Sequence, residues 1–142
     1  GQLQPDARDD SWLEEFETDY MRTGVACCGG HRGTKDPLPG QDNFSLTRFP
    51  EDVMLHVLCD GHGPFGHLVA LRVAQSLPMA LGSSLATPGW QHHPPEQLLL
   101  QAFESAAMDL GTFATMQGVD VSSSGASCAA AMCIGPDVQV AW

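Results

Sequence analysis

One short stretch of the chain concentrates residue types that bind cations and move protons. It reads CDGHGPFGH over residues 59–67 and places Asp60, Gly61 and His62 side by side. An apolar run precedes it and helix-forming residues follow, so we expect Asp60 at the end of a strand and before a helix. A carboxylate there is held rigidly yet faces solvent, and glycine lets a backbone carbonyl approach an ion closely. Mg²⁺ and Mn²⁺ prefer such oxygen ligands.

A second acid belongs to the same predicted hairpin. The alternating residues 42–47 and the apolar residues 54–59 predict two strands, the second buried on both faces, with a turn at residues 48–52. If the strands pair, Asp42 and Asp60 lie at one edge of the sheet. A bound divalent cation would then relieve the repulsion between their carboxylates. Taken singly, each acid also fits a structural role, Asp60 as a cap of the strand-to-helix turn and Asp42 as a turn residue at the strand edge.

Hydrophobic periodicity and local composition predict the remaining elements. After the glycines the apolar period changes from two to about 3.6 residues, which predicts a helix over residues 65–81 that lies on the sheet. The same period returns over residues 96–114, after a proline-containing loop. The other predicted elements are a short amphipathic helix from the cap at residues 9–11 to Tyr20, a β-like run at residues 23–28, a tightly packed central strand at residues 122–134 and a further strand at residues 138–142. This mixture predicts an α+β fold.

Composition and charge exclude several classes of protein. A chain of 142 residues with 43% hydrophobic residues is expected to form about one domain with one core. Its 17 acidic and 6 basic residues give a net charge of −11, which argues against a nucleic-acid or anionic-membrane partner and favours cations. Acidic residues are dense near the N-terminus, so residues 1–20 are interpreted as an acidic leader and residues 21–142 as the domain.

The sequence also bears on the cellular compartment. No stretch approaches the run of about 18 apolar residues that a membrane span needs, and the N-terminus lacks the regions of a signal peptide. The five cysteines show neither a disulfide framework nor the CxxC spacing of a zinc site. They are interpreted as reduced, mostly buried thiols of an intracellular protein. The histidines interpreted as surface or packing residues are His56, His67, His92 and His93.

Four segments together resemble the first half of the metal-dependent type 2C serine/threonine protein phosphatases. They read PGQDNFSL, LHVLCDGHGPFGHLVALRV, SLPMAL and SSSGASCAAAM, in this order and at the family's spacing, and the resemblance covers residues 22–142. The branch known from plants and protists is the most similar one. Gly40 stands where relatives usually have Asn, Gln41 replaces the Glu of the animal branch, and Phe65 replaces Tyr. None of these departures removes an ion ligand.

The resemblance implies a role for the residues at matching positions. Asp60 would bridge two divalent cations, Mg²⁺ or Mn²⁺, and Gly61 would lend its backbone carbonyl to one of them. Asp42 would contact the cations directly or through bound water, and His62 would be the general acid for the leaving alkoxide. Two such cations about 4 Å apart would lower the pKa of a bridging water and screen the phosphoryl charge, so no covalent enzyme intermediate is needed.

The family also has a basic residue on the substrate phosphate, shortly before the Gln-Asp pair. In this chain that residue would be Lys35 or, as the second choice, Arg32. An ordinary solvated surface charge explains both residues as well. Cys59 is interpreted as strand packing, because no phosphate-cradling loop surrounds it.

The resemblance implies a four-layer α-β-β-α sandwich of two antiparallel sheets flanked by helices, of which this chain would be the N-terminal half. The apolar residues 138–142 end without a turn or polar tail, which is expected of a chain truncated inside a sheet. Further ion-binding aspartates would then lie downstream, so these residues alone are expected to bind Mn²⁺ poorly and to be inactive.

The resemblance therefore implies a monomeric cytoplasmic or nuclear protein phosphatase that hydrolyses phosphoserine and phosphothreonine in a phosphoprotein substrate. Two alternatives stay open from the sequence. One is a catalytically inactive family member that acts as a protein-binding or regulatory module. The other is an unrelated cation-binding module without phosphatase activity.

Overall fold

The structure, a computed structural model, describes residues 40–142 and, before them, the backbone of two short strands, β1 (Glu15–Glu17) and β2 (Arg22–Gly24). These strands pair antiparallel, with Glu15 opposite Gly24. The predicted helix up to Tyr20 is therefore wrong at residues 15–17, because the backbone there pairs with a second strand instead of closing helical turns. A loose apolar pattern in so short a segment does not distinguish the two states.

The main sheet contains four antiparallel strands in the order β3-β4-β5-β6. They are β3 (Asn43–Phe49), β4 (Val53–His62), β5 (Gly125–Ile134) and β6 (Asp137–Ala141). The predicted hairpin of β3 and β4 and the central position predicted for β5 are confirmed. β4 continues past its predicted end at Cys59 as far as His62, because β5 supplies ladder partners up to Gly125.

Two helices cover one face of this sheet. α1 (Gly66–Leu85) and α2 (Pro95–Gln117) confirm the predicted helices and extend them, and a short 3-10 helix at Trp90–His92 lies in the loop between them. Most of their buried apolar residues form a core with the helix-facing side chains of β4, which are Val53, Leu55, Val57 and Cys59, and a smaller cluster contains Val69 and Ala114. Removing this apolar surface from water holds the helices on the sheet.

α1 is long and apolar. Among the described residues it is the segment whose length and composition would suffice to cross a membrane. It buries Leu77 and Leu81 in the core beneath the sheet, as the central helix of a globular domain does. Arg72 of α1 also forms a bidentate ion pair with Asp109 of α2, in which Nε donates to Oδ2 at 2.6 Å and Nη2 donates to Oδ1. These contacts are those of a helix packed inside a folded domain.

The opposite face of the sheet is largely exposed, and we call it the open face. Its exposed apolar residues are Phe44, Leu58, Val138, Val140 and Trp142. The prediction that β4 is buried on both faces is confirmed at Met54 and Leu55 and is wrong at Leu58, which is 67% exposed, while His56 between them is half-buried. The reason is that no second layer from the described residues covers this part of the face. The architecture of the described residues is α+β, with helices on one side of an antiparallel sheet.

Candidate metal site at the end of the hairpin

Asp42 and Asp60 lie opposite each other across the β3–β4 hairpin. The Gly61 N–H donates to the Gln41 carbonyl at 3.2 Å, in the register of the ladder that precedes it. Since Gln41 and Gly61 are a hydrogen-bonded pair, the neighbouring acids form a non-hydrogen-bonded pair, whose Cα atoms lie about 4.5 Å apart in antiparallel sheets. Both acids are exposed, and strand alternation directs both to the open face. The pairing predicted from the sequence is present in the fold.

A cavity of about 470 Å³ opens beside this acid pair. Asp42, Asp60 and Ser127 contribute to its polar wall, while its apolar lining includes Leu58 and Trp142. The two acids supply the oxygen donors that Mg²⁺ and Mn²⁺ prefer, but each brings only one negative charge. In the part of the chain that the structure describes, no group of three or more His, Cys, Asp or Glu side chains is placed to hold a metal. These oxygen atoms are the type of ligand that a hard cation prefers, but a cluster of two cations needs more ligands than the two carboxylates supply.

The glycine-rich turn after Asp60 is packed too closely for side chains. A Cβ atom on Gly61 would lie 2.6 Å from the Gln41 carbonyl oxygen and would also meet the Gly66 carbonyl oxygen. Gly63 has a φ of +80°, a conformation that residues with side chains adopt only with strain. Its carbonyl accepts a 2.7 Å hydrogen bond from Nε2 of the buried Gln41. The glycines therefore let the chain fold back against the residue that precedes Asp42.

The loop before β5 supports the same turn from the other side. Ser124 is buried, and its Oγ accepts a hydrogen bond from the Phe65 N–H at 3.0 Å. Asp120 shapes this loop by accepting hydrogen bonds from the Ser122 Oγ at 2.6 Å and the Ser122 N–H at 2.9 Å. These bonds, the side-chain bond first, lower the pKa of the Asp120 carboxyl. Gln41 and Ser124 thus hold the turn between β3 and the loop that leads into β5.

His62 lies at the exposed end of β4, opposite Gly125. A Cβ atom on Gly125 would lie 2.7 Å from the His62 Nε2 atom, so the imidazole occupies space that a side chain on Gly125 would fill. His62 is on the same side of β4 as Asp60 but is not among the residues that line the cavity. The fold therefore brings the two acids together and leaves the imidazole outside the cavity wall.

Two thiols lie behind the acid pair, on adjacent strands. Cys59 and Cys128 are opposite each other in the β4–β5 ladder, and the Cys59 Sγ donates a hydrogen bond to the Cys128 Sγ at 3.5 Å. This bond and burial raise the pKa of the Cys59 thiol far above its usual range, and the same bond lowers the pKa of the Cys128 thiol. Cys59 belongs to the helix-facing core, which confirms its interpretation as strand packing.

Some predicted site residues lie outside the described part of the chain. These are the two candidates for phosphate binding, Lys35 and Arg32. Conversely, reading the sequence did not identify Gln41 and Ser124 as supports of the turn or Gly125 as the neighbour of His62. All three lie in segments that carry the resemblance, but the hydrogen bonds of Gln41 and Ser124 join residues 22 and 59 positions apart. Only the fold brings them together.

Comparison with known proteins gives partial matches to one family. No protein-family model matches the chain. Probable protein phosphatase 2C 6 of Arabidopsis thaliana is 37% identical over an alignment of 67 residues that covers 44% of this chain and 13% of that protein. Probable protein phosphatase 2C 33 of Arabidopsis thaliana is 33% identical over an alignment of 84 residues that covers 56% of this chain and 15% of that protein. Probable protein phosphatase 2C 14 of Oryza sativa subsp. japonica is 54% identical over 37 residues, 26% of this chain and 7% of that protein.

These matches support a relationship to the protein phosphatase 2C family. Each match involves a small part of the relative, at most 15% of its length, so the chain spans far less than two thirds of these proteins. The relationship to this family of protein phosphatases is consistent with the motif at Asp60 and with the α+β fold.

Proposed function

We propose that this chain is part of a metal-dependent protein serine/threonine phosphatase that hydrolyses phosphoserine and phosphothreonine in phosphoproteins. The observation that carries the proposal is the pairing of Asp42 and Asp60 beside a cavity of about 470 Å³. The relationship to protein phosphatases 2C supplies the class of reaction. The net charge of −11 suits a cation-dependent enzyme with a protein substrate better than one that binds nucleic acid. We further propose that it acts as a monomer in the cytoplasm or nucleus.

Asp42 and Asp60, with the backbone carbonyl of Gly61, would hold two divalent cations, Mg²⁺ or Mn²⁺, at the rim of the cavity. When bound, such cations supply an activated water and shield the negative phosphoryl group. The β3–β4 hairpin would place the two carboxylates next to each other before any cation binds, so little ordering would be needed on binding. Two divalent cations carry more positive charge than two carboxylates offset, so further acidic ligands would come from residues outside those described.

The other residues of the site would position the substrate and transfer a proton. His62 would donate a proton to the leaving seryl or threonyl oxygen, and the absence of a side chain on Gly125 leaves space for its imidazole. Gln41 and Ser124 would keep the turn that carries Gly61 and His62 in place. Lys35, or Arg32 in its stead, would bind the substrate phosphate by charge-assisted hydrogen bonds.

We also propose that a second antiparallel sheet, formed by residues outside those described, covers the open face. Leu58 is 67% exposed and Trp142 is 92% exposed on this face, and burying such side chains is favourable by about 25 cal/mol per Å². The result would be a four-layer α-β-β-α sandwich, with the acid pair at one end of the interface between its sheets.

A second candidate function is a catalytically inactive relative that binds a protein partner. It is favoured by the finding that the described residues contain no group of three or more side chains placed to hold a metal. In that case the acid pair would remain without the additional ligands that two cations require.

Activity of the full-length protein with Mn²⁺, on para-nitrophenyl phosphate and on a phosphothreonine peptide, tests the proposal. We expect metal-dependent hydrolysis that falls at least about 100-fold in Asp60→Asn, because a ligand to the catalytic cations is lost. Glu104→Gln, which removes the same charge from an exposed position on α2, serves as the matched control and should be fully active. Hydrolysis that survives Asp60→Asn would contradict the proposed site, and no hydrolysis by the wild-type protein would favour the inactive relative.

A further inference from the structure

Cys59 and Cys128 have the backbone geometry of a cross-strand disulfide. They are direct partners in the antiparallel β4–β5 ladder. The Gly61 N–H points toward β3, and the Cys59 N–H points the same way because it is two residues earlier on the strand. Cys59 therefore forms no backbone hydrogen bonds with β5, and Cys59 and Cys128 are a non-hydrogen-bonded pair of the β4–β5 ladder. Cα atoms of such pairs lie about 4.5 Å apart, within the range of about 4.4 to 6.8 Å that disulfides span.

The two sulfur atoms are already in contact. Their distance of 3.5 Å exceeds a disulfide bond by only about 1.5 Å, which side-chain rotation and a small approach of the strands can supply. Cys128 is partly exposed, whereas Cys59 is buried in the core. A small oxidant from solvent therefore meets Cys128 first, and Cys59 is the thiol in reach of the oxidised sulfur.

We propose that Cys59 and Cys128 are a redox modification site at which a peroxide forms a reversible intrachain disulfide. In the first step the Cys128 sulfur attacks a peroxide oxygen, which gives a sulfenic acid at Cys128 and releases the reduced peroxide as water or an alcohol. In the second step the Cys59 sulfur attacks the sulfenic sulfur, and water leaves. The two thiols lose two electrons and two protons to the peroxide, and a dithiol reductant returns them.

The third described cysteine provides an internal comparison. Cys133 is buried on β5, five residues after Cys128, so it lies on the other face of the strand and opposite Met54. It should not replace either partner. The disulfide would join positions 69 residues apart and would lie next to Asp60 on β4 and next to Ser127 on β5. It would therefore fix the ladder immediately behind the acid pair.

Peptide mapping of the full-length protein tests this proposal. The protein is treated with a small excess of hydrogen peroxide, its remaining thiols are alkylated, and it is digested with trypsin. Arg48 and Arg72 release Cys59 on a peptide of its own, while Cys128 and Cys133 share the following peptide. We expect these two peptides to be linked, with a mass lower by two hydrogen atoms, in the wild type and in Cys133→Ser. We expect no link in Cys128→Ser, and a sulfenic acid that dimedone traps at Cys128 in Cys59→Ser.

Thermal unfolding gives a second measurement that does not depend on mass spectrometry. A cross-link between distant residues restricts the unfolded chain, so oxidation should raise the unfolding midpoint of the wild type and of Cys133→Ser. It should leave the midpoint of Cys128→Ser unchanged, and the reduced variants must unfold cooperatively for the comparison to count. The proposal is overturned if no link forms, if the link survives in Cys128→Ser, or if Cys128 proceeds to sulfinic acid without cross-linking. Disulfide formation requires no phosphatase activity, so it can succeed or fail independently of the proposed function.

Discussion

The buried side chain of Gln41 offers a direct test of how the glycine turn is held. Its Nε2 atom donates to the Gly63 carbonyl at 2.7 Å, and its side chain also contacts Gly66, where a Cβ atom would lie 2.9 Å from Oε1. Gln41→Leu keeps a side chain of similar size but removes the donor, which leaves the Gly63 carbonyl without this partner. The Gly63 carbonyl keeps a second hydrogen bond, from the Gly66 N–H at 3.2 Å, so the cost is that of one lost hydrogen bond, about 0.5 to 1.5 kcal/mol. We expect the free energy of unfolding to fall by that amount.

The measurement is urea unfolding of the full-length protein, followed by tryptophan fluorescence and by far-UV circular dichroism. Gln101→Leu, at an exposed position on α2, is the matched control and should change stability by less than about 0.5 kcal/mol. The proposed phosphatase activity should fall in Gln41→Leu as well, because the turn carries Gly61 and His62. A loss of stability in Gln41→Leu no larger than in Gln101→Leu would refute the conclusion that this hydrogen bond supports the turn.

Two further predictions concern His62 and His56. Gly125→Ala should displace the His62 imidazole, because the new Cβ atom would lie 2.7 Å from Nε2. The variant should therefore shift the His62 resonances in NMR spectra and lower the proposed activity. The control is Gly111→Ala, where nothing lies within 4 Å of the new Cβ atom, and it should be harmless or stabilising by about 0.5 to 1 kcal/mol. An unchanged His62 environment in Gly125→Ala would contradict this contact. Burial lowers the pKa of His56 from 6.5, so the folded state resists a proton that the unfolded state accepts, and stability that is present above about pH 6.5 should be lost as the pH falls below it. His56→Leu should unfold with a weaker dependence on pH than the wild type between about pH 7.5 and 5.5, and an equal dependence in both proteins would be evidence against this assignment.

Much of the fold follows from local patterns along the chain. Alternation predicted β3 and a period of about 3.6 residues predicted both helices, while a uniformly apolar run, a run of small residues and the segment after a turn predicted β4, β5 and β6; each element is present. The short segment before Tyr20 was the exception, since its apolar residues fit a helix whereas Glu15–Glu17 pairs as a strand. Long periodic segments are predictable because each turn or alternation repeats the same preference, and a three-residue strand offers no such repetition.

The residue types of the candidate site, and its edge of the sheet, were also accessible from the sequence. The order of Asp60, Gly61 and His62 at the end of an apolar run, and Asp42 at the start of the preceding strand, indicated two carboxylates at one sheet edge, since a hairpin returns the chain to its own starting point. The motif resemblance connected these residues to phosphatase chemistry, and the relatives in Arabidopsis thaliana and Oryza sativa support that relationship.

Contacts between distant parts of the chain depended on the tertiary structure alone. The bond from Gln41 to Gly63, the support of Phe65 by Ser124 and the contact of the Cys59 and Cys128 sulfur atoms all require the register of neighbouring strands and the path of the loop before β5. The sequence pattern shows which face of a helix or strand is apolar and is therefore buried, because the gain from burying an apolar side chain depends on that side chain and not on a particular partner. The pattern does not determine which two side chains meet, because a hydrogen bond or a thiol pair depends on atomic distances that only the packed chain defines.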